Sequence, residues 1–272
     1  MTGSTLKATL VEKARLLLDA HHGPNPLVLP NIWDVASARI VAEEGFPIIA
    51  TSSKAIAGVL GTRDDDSSNP DVIFDFVARI ARSVSCPVTA DLEAGYGLAP
   101  TEFVERLLDA GIVGCNLEDS DHHGGDVLVD STVQAIFLAD VRKAATKLGV
   151  HIVINARIDS FIRRVGDEQH QLEEAIRRGL LYLEAGADCV YPIALVDRIR
   201  IAQLTTALPG PVNITARRGG LSFFELGALG VRRISFASGI FQLENDHLRV
   251  AVHRLSESAD PEALWQELSS EI

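Results

Sequence analysis

Apolar runs of strand length alternate with helical patterns along almost the whole chain, and this alternation limits the fold more than any single residue does. The strand-like runs are Leu27–Trp33, Pro47–Ser53, Pro87–Glu93, Val113–Asp119, His151–Asp159, Cys189–Ala194, Pro211–Thr215 and Arg233–Ala237. Helical periodicity fills the gaps at Asp34–Glu44, Val72–Val84, Thr101–Ala110, Ser131–Leu148, Leu172–Ala185, Val196–Ala207 and Ser222–Leu229. Strands separated by helices pair in parallel. Runs that are apolar on both faces are buried on both. Eight such units predict an α/β fold, a closed (β/α)8 TIM-type barrel. An open dinucleotide-binding sheet would need Gly-x-Gly-x-x-Gly after an early strand, and the chain has none there.

The ends add helices to this frame. Residues 1–22 read as an N-terminal amphipathic helix rather than a signal peptide. Residues 241–272 read as a C-terminal helical extension, interrupted at Asp260-Pro261, with a final helix carrying Leu264, Trp265 and Leu268. Such a helix needs a surface to bury against, which predicts a subunit contact. No linker or repeat divides residues 1–272, so a single domain is expected. With 47% hydrophobic residues the chain can fill a large aliphatic core. Its net charge of −12 argues against a nucleic-acid partner, and no apolar run reaches the roughly 18 residues of a membrane span. Cys86, Cys115 and Cys189 have no metal-binding spacing and fit buried positions in a reducing, cytoplasmic setting.

Barrels of this kind place chemistry at the C-terminal strand ends, and here those ends are polar. Asn31 and Trp33 end the first strand, and Ser52, Ser53 and Lys54 the second. The third carries Thr89, Asp91 and Glu93, the fourth Asn116 and Glu118, the fifth Asn155, Arg157 and Asp159, the seventh Asn213 and Thr215. Period-two spacing turns each set from strands three, four, five and seven to one face. Asp91, Glu93 and Glu118 are hard oxygen donors that suit Mg²⁺ or Mn²⁺ better than zinc. Arg157 offers a planar fork for an oxyanion, or a counter-ion for Glu118 or Asp159. Ser52, Ser53 and the amides after them could cradle a carboxylate, and Asn213 and Thr215 a second one. Two loops, Lys54–Pro70 with Asp64 and Ser120–Asp130 with His122 and His123, are placed to act as lids. Either histidine is a candidate acid–base group.

Six ordered motifs carry a resemblance. They are Leu-Pro-Asn-Ile-Trp-Asp-Val-Ala-Ser-Ala-Arg at 29–39, Leu-Gly-Thr-Arg-Asp at 60–64, Val-Thr-Ala-Asp-Leu-Glu-Ala-Gly-Tyr-Gly at 88–97, Gly-Cys-Asn-Leu-Glu-Asp at 114–119, Ile-Asn-Ala-Arg-Ile-Asp at 154–159 and Glu-Ala-Gly-Ala-Asp at 184–188. In these the chain resembles the isocitrate lyase/phosphoenolpyruvate mutase superfamily. The resemblance implies an α/β barrel, Mg²⁺, and homotetramers that exchange a C-terminal helix; a homotetramer or homodimer is expected. It implies Asp91 as the main metal carboxylate, with Glu93 and Glu118 on the metal or its waters. It also implies Arg157 on the substrate's oxyanion, Ser52 with the amides of Ser53 and Lys54 on a pyruvyl carboxylate, and Asp64 on a gating loop. The shared intermediate is a pyruvate enolate.

The departures are specific. The superfamily's acid pair is often Asp-x-Asp, whereas here it is Asp91-Leu92-Glu93. The lyases' lid cysteine has no counterpart in Ser120-Asp121-His122-His123-Gly124-Gly125. Ala50 and Ile193 stand where the phosphonomutase branch has tryptophan and histidine, while Asn213-Ile214-Thr215 resembles the lyases. The expected function is therefore Mg²⁺-dependent cleavage of a C–C bond in a 2-oxo or 2-hydroxy acid, a small carboxylate substrate. The alternatives are phosphonomutase or phosphonopyruvate hydrolase chemistry, and a barrel that binds a small acid without turnover.

Overall fold

The computed structural model describes residues 3–257, apart from 123 and 126, together with 262. Its barrel strands are β1 (Leu27–Leu29 continuing as Asn31–Ile32), β2 (Ile49–Thr51), β3 (Val88–Asp91), β4 (Gly114–Glu118), β5 (Val153–Ile158), β6 (Cys189–Pro192), β7 (Asn213–Thr215) and β8 (Arg233–Ser235). Pro30, which has no N–H to donate, splits β1. Its first half pairs with β8 (Leu27↔Arg233) and its second with β2 (Asn31↔Ala50), all in parallel. The ladder runs β2 to β6 in order, and β7 pairs with β8. A bridge between Val190 and Val212 joins β6 to β7 and closes the ring. The barrel expected from the alternation is the fold.

The helices are α1 (Gly3–Ala20), α2 (Val35–Glu43), α3 (Ser53–Leu60), α4 (Pro70–Ser83), α5 (Pro100–Asp109), α6 (Ser131–Leu148), α7 (Glu168–Glu184), α8 (Arg198–Ala207), α9 (Phe223–Ala228) and α10 (Gly239–Glu257). Caps explain most starts. Asp34 and Ser222 form capping boxes, and Asn69, Asp130, Asp167 and Asp197 each accept a first-turn amide. Two differences from the sequence reading matter. Ser53–Leu60 is a helix that starts at the last residue of the predicted second strand and takes up the first half of the predicted Lys54–Pro70 loop, too short to show a clear apolar period. The helix expected at Leu172 begins instead at Glu168, because its first turn is polar and only the Asp167 cap marks it.

The N-terminal helix α1 seats against the strand starts. Leu17 is fully buried there. A Cβ on Gly114 would lie 2.6 Å from Leu17 Cδ2 and 3.0 Å from the Val153 carbonyl, so glycine at the head of β4 is what lets α1 approach. At the other end, α10 follows β8 and buries none of its residues; Leu243, Leu248, Val250, Val252 and Leu255 are exposed on it. The final helix predicted around Leu264, Trp265 and Leu268 lies outside the described residues. No described helix is long and apolar enough to cross a membrane.

Candidate active site

Asp91 ends β3 at the barrel mouth. Its amide donates to Thr51 Oγ1 at 3.0 Å, which ties β3 to the end of β2. Its Oδ2 accepts the Ser53 hydroxyl at 3.0 Å and the Ser53 amide at 3.3 Å. Ser52 caps α3, its hydroxyl accepting from the Ala55 amide at 3.4 Å. The first turn of α3 therefore points its amides and partial positive charge at Asp91. Both serines proposed to cradle a substrate carboxylate are thus engaged within the protein. Lys54 is exposed and lines a cavity of about 450 Å³ against α10, with Ser238, Phe241 and Asn245. Trp33 is buried and stacks at 60° on Phe241 of α10, with ring centroids 5.1 Å apart. It acts as a packing residue between the mouth and α10.

Across from Asp91, Arg157 holds two carboxylates. Its Nε and Nη2 donate to Asp159 at 2.7 and 2.9 Å, and its Nη1 pairs with Glu118 Oε2. Glu118 Oε1 is hydrogen-bonded to His122 Nε2, which ties the start of the segment after β4 to the cluster. His123 lies outside the described residues. Behind this layer Asp159 accepts the Ser120 hydroxyl at 2.5 Å, and its amide donates to Asp119 Oδ1 at 2.9 Å. Asp119 Oδ2 in turn accepts from Arg178 (3.0 Å) and the Tyr182 hydroxyl (2.8 Å). So α7 buttresses the arginine from behind.

Glu93 does not sit as strand spacing predicts. The strand stops at Asp91, and Glu93 has φ +51, in a turn where alternation no longer holds. Its Oε1 accepts the Tyr96 hydroxyl at 3.1 Å, and its Oε2 accepts the Asp66 amide. Asp64 stands at the mouth beside Ser53 and Asp91. Below them, side-chain bonds cross four strands. Asn155 Nδ2 donates to Asn116 (2.8 Å) and Asn213 (3.3 Å), and Asn213 Nδ2 donates to Ser235 (2.9 Å). Asn213 is thus part of the floor rather than a free carboxylate binder. Thr215 is half-buried and bonds the Tyr191 hydroxyl at 2.6 Å. Thr51, Asp66, Tyr96, Asp119, Arg178, Tyr182 and Tyr191 were not singled out from sequence. Asp66, in the Arg63-Asp64-Asp65-Asp66 run, Tyr96, in the Gly-Tyr-Gly break after the acid pair, and Asp119, at the end of the 114–119 motif, gave a local signal.

The charges are crowded. Burial pushes Glu93 up to about 8, with help from Asp64, Glu118 and Asp91. It pushes Glu118 up to about 7 against the pull of Arg157 and His122. Burial and the Asp91 charge also raise Asp64. The hydrogen bond to Glu118 raises His122. Arg157 is raised well above the usual arginine value: burial works against its charge, and Asp159 and Glu118 outweigh that. Amid this surplus of acid, Asp91 Oδ1 is buried and has no hydrogen-bond partner among the described residues. Among the described residues no three His, Cys, Asp or Glu side chains converge to cage a metal. One free carboxylate oxygen in an acidic pocket fits a cation that keeps several waters, as Mg²⁺ does, and does not fit a closed zinc site.

Comparison with known proteins agrees with this geometry. The family model of phosphoenolpyruvate phosphomutase matches residues 17–255. An uncharacterized protein of Mycobacterium tuberculosis (strain H37Rv) is 33% identical over 221 residues, 81% of each chain. A Burkholderia cenocepacia structure described as a phosphonomutase superposes with a TM-score of 0.84 at 35% identity, covering 89% of this chain and 99% of that one. A 2,3-dimethylmalate lyase superposes with a TM-score of 0.79 at 25% identity, covering 93% of both. The chain therefore belongs to the phosphoenolpyruvate phosphomutase family, within the isocitrate lyase/phosphoenolpyruvate mutase superfamily.

Proposed function

We propose that this protein is a Mg²⁺-dependent lyase that cleaves a C–C bond of a 2-oxo or 2-hydroxy acid, with an enolate of pyruvate type as the departing half. The observation that carries this reading is the free, buried Oδ1 of Asp91 opposite the Arg157–Glu118–His122 chain. Asp91 would hold the ion directly, and Asp64 and Glu118 would hold its waters; when bound, the ion supplies Lewis-acid stabilisation of negative charge on the 2-oxo oxygen. Arg157 holds Glu118 and Asp159 in place, and keeps the mouth from being purely acidic. The bond to Glu118 raises His122 and so favours its protonated form. Held there, His122 would serve as the acid for an enolate carbon or a departing oxygen. A 2,3-dimethylmalate lyase among the similar structures supports the lyase reading.

A second reading, P–C chemistry by a phosphonomutase or phosphonopyruvate hydrolase, is favoured by the family description and by the phosphonomutase-described structure at 35% identity. A panel assay separates the two. The protein is incubated with Mg²⁺ and oxaloacetate, 2-methylisocitrate, 2,3-dimethylmalate or phosphonopyruvate, and pyruvate is followed with a coupled dehydrogenase. ³¹P NMR monitors phosphonopyruvate and phosphoenolpyruvate. The lyase reading requires EDTA-sensitive turnover of a carbon acid; phosphorus signals moving while every carbon acid stays intact would transfer the assignment to the second reading. The exposed apolar residues of α10 support assembly into dimers or tetramers through that helix.

A further inference from the structure

Glu93 and Asp66 grip each other's neighbourhoods. Glu93 Oε2 accepts the backbone N–H of Asp66, and Oε1 accepts the Tyr96 hydroxyl at 3.1 Å. In return Asp66 Oδ1 accepts the backbone amides of Ala94 at 3.2 Å and Tyr96 at 2.8 Å. Each acid's side chain therefore fastens the backbone at or beside the other. All three residues are buried, Glu93 to 3% exposure. All three also hold left-handed backbone without being glycine, at φ +56 for Asp66, +51 for Glu93 and +56 for Tyr96. Such conformations are disfavoured for residues with a Cβ and persist where surrounding bonds over-determine them.

The position of this clasp gives it a purpose. Asp66 lies two residues after Asp64, on the loop between α3 and α4, and Asp64 stands beside Ser53 and Asp91. Fixing Asp66 to the β3 exit fixes where Asp64 can stand. The side chain at 93 must also reach from the turn to the amide of residue 66, and glutamate has one methylene more than aspartate for that span.

We propose that Glu93, with Asp66 and Tyr96, is a positioning clasp that holds the 61–69 loop over Asp91 and sets Asp64, and that Glu93 takes no part in holding the metal. This rests on the reading of Asp91 as the metal-binding residue given above. The departure from Asp-x-Asp to Asp-x-Glu then marks a second acid that has moved from the metal shell to the lid.

The test uses the full-length protein and two readouts besides activity. Arg63, whose side chain is 82% exposed, gives trypsin a cleavage point at the edge of the loop, followed by mass spectrometry. Mn²⁺ binding is measured by titration calorimetry. Glu93→Ala should speed cleavage after Arg63 by about tenfold or more and lower kcat, with Mn²⁺ affinity within about threefold of wild type. Glu93→Gln keeps an acceptor for the Asp66 amide and a donor for Tyr96, so it should restore most of the protection. A metal-holding carboxylate would instead make Gln as harmful as Ala. Tyr96→Phe removes one clasp bond and should raise cleavage by a smaller factor; it serves if Glu93→Ala does not fold. Unchanged cleavage in Glu93→Ala and Tyr96→Phe overturns the proposal, as does a tenfold loss of Mn²⁺ affinity in Glu93→Gln, with or without faster cleavage. If wild type binds no Mn²⁺, the metal reading of Asp91 fails, while the cleavage arm still decides the clasp.

Discussion

Arg157 and Asp159, two residues apart at the exit of β5, form a bidentate ion pair at 2.7 and 2.9 Å, and the remaining nitrogen of the fork faces Glu118. All three side chains are at most 11% exposed. A fork filled on both sides organises carboxylates. Arg157→Lys keeps the charge and loses the fork, and should lower kcat/KM on the order of 10²-fold through misplacement of Glu118 and Asp159. Arg157→Met strands two buried carboxylates and should cost about 3–5 kcal/mol. Urea denaturation of both variants, alongside steady-state kinetics, checks the pair of outcomes.

Asp91→Asn should leave the fold intact, because an amide oxygen still accepts from Ser53. It removes the charge that would hold a divalent ion. Turnover should fall on the order of 10²–10³-fold or more, and Mn²⁺ binding by calorimetry should vanish. Native far-UV circular dichroism with unaltered Mn²⁺ affinity would refute the assignment.

The buttress behind Arg157 is testable without touching the mouth. Tyr182→Phe deletes a 2.8 Å donor to buried Asp119 and should cost about 1–3 kcal/mol. Arg178→Met removes the 3.0 Å cation and should cost about 3–5 kcal/mol. A double-mutant cycle between Tyr182→Phe and Arg157→Lys should show coupling in kcat/KM, since Asp119 holds the Asp159 amide.

His21 makes stability depend on pH at the opposite end of the barrel. Its Nδ1–H donates to the Leu17 carbonyl at 2.8 Å, and Nε2 faces Arg233 Nη1 at 3.5 Å. Burial, with the Arg233 charge, lowers its pKa to about 4. Between about 6.5 and about 4 the unfolded chain binds a proton that the folded one refuses. This contribution to stability is complete above about 6.5 and is lost as pH falls toward 4, by on the order of 3 kcal/mol. Buried Glu93 and Glu118, raised in the fold, act in the opposite sense over the same range, so the His21 slope should appear as the difference between wild type and His21→Gln in chemical denaturation across pH 4–7.

The apolar residues of α10 set a prediction about assembly. Leu248 is 59% and Leu255 47% exposed on a helix whose packing against the barrel is confined to its first turn at Ile240 and Phe241. The double substitution Leu248→Glu and Leu255→Glu should shift sedimentation toward the monomer while leaving the barrel's circular dichroism unchanged.

What could be read from the chain follows from which forces are local. Burial on both faces writes itself into apolar runs, so the eight strands and the polar character of their C-terminal ends were legible. Glu118 and Arg157 meet as their parity suggests, with Asp91 within their electrostatic reach, and Arg157 takes its internal counter-ion role with both Glu118 and Asp159. The reach of alternation ends where the strand ends. Glu93 lies past that point, and nothing in period two announces a left-handed turn at Leu92-Glu93-Ala94. Ser52 and Ser53 have the right chemistry for a carboxylate cradle, but α3 turns them to its own cap and to Asp91. Asp119, Arg178 and Tyr182 come from separate elements, and only the closed barrel brings them together.

The amide bonds among Asn116, Asn155, Asn213 and Ser235 stitch strands β4, β5, β7 and β8 below the mouth. An aliphatic layer can shift by repacking, whereas directional bonds hold a fixed spacing. The loops above can therefore be exchanged between relatives while the platform under them stays in register. Grafting the Ser120–Asp130 segment of a lyase or of a phosphonomutase onto this barrel would vary the chemistry over a constant base, and the protein becomes a chassis on which loop and reaction can be matched one at a time.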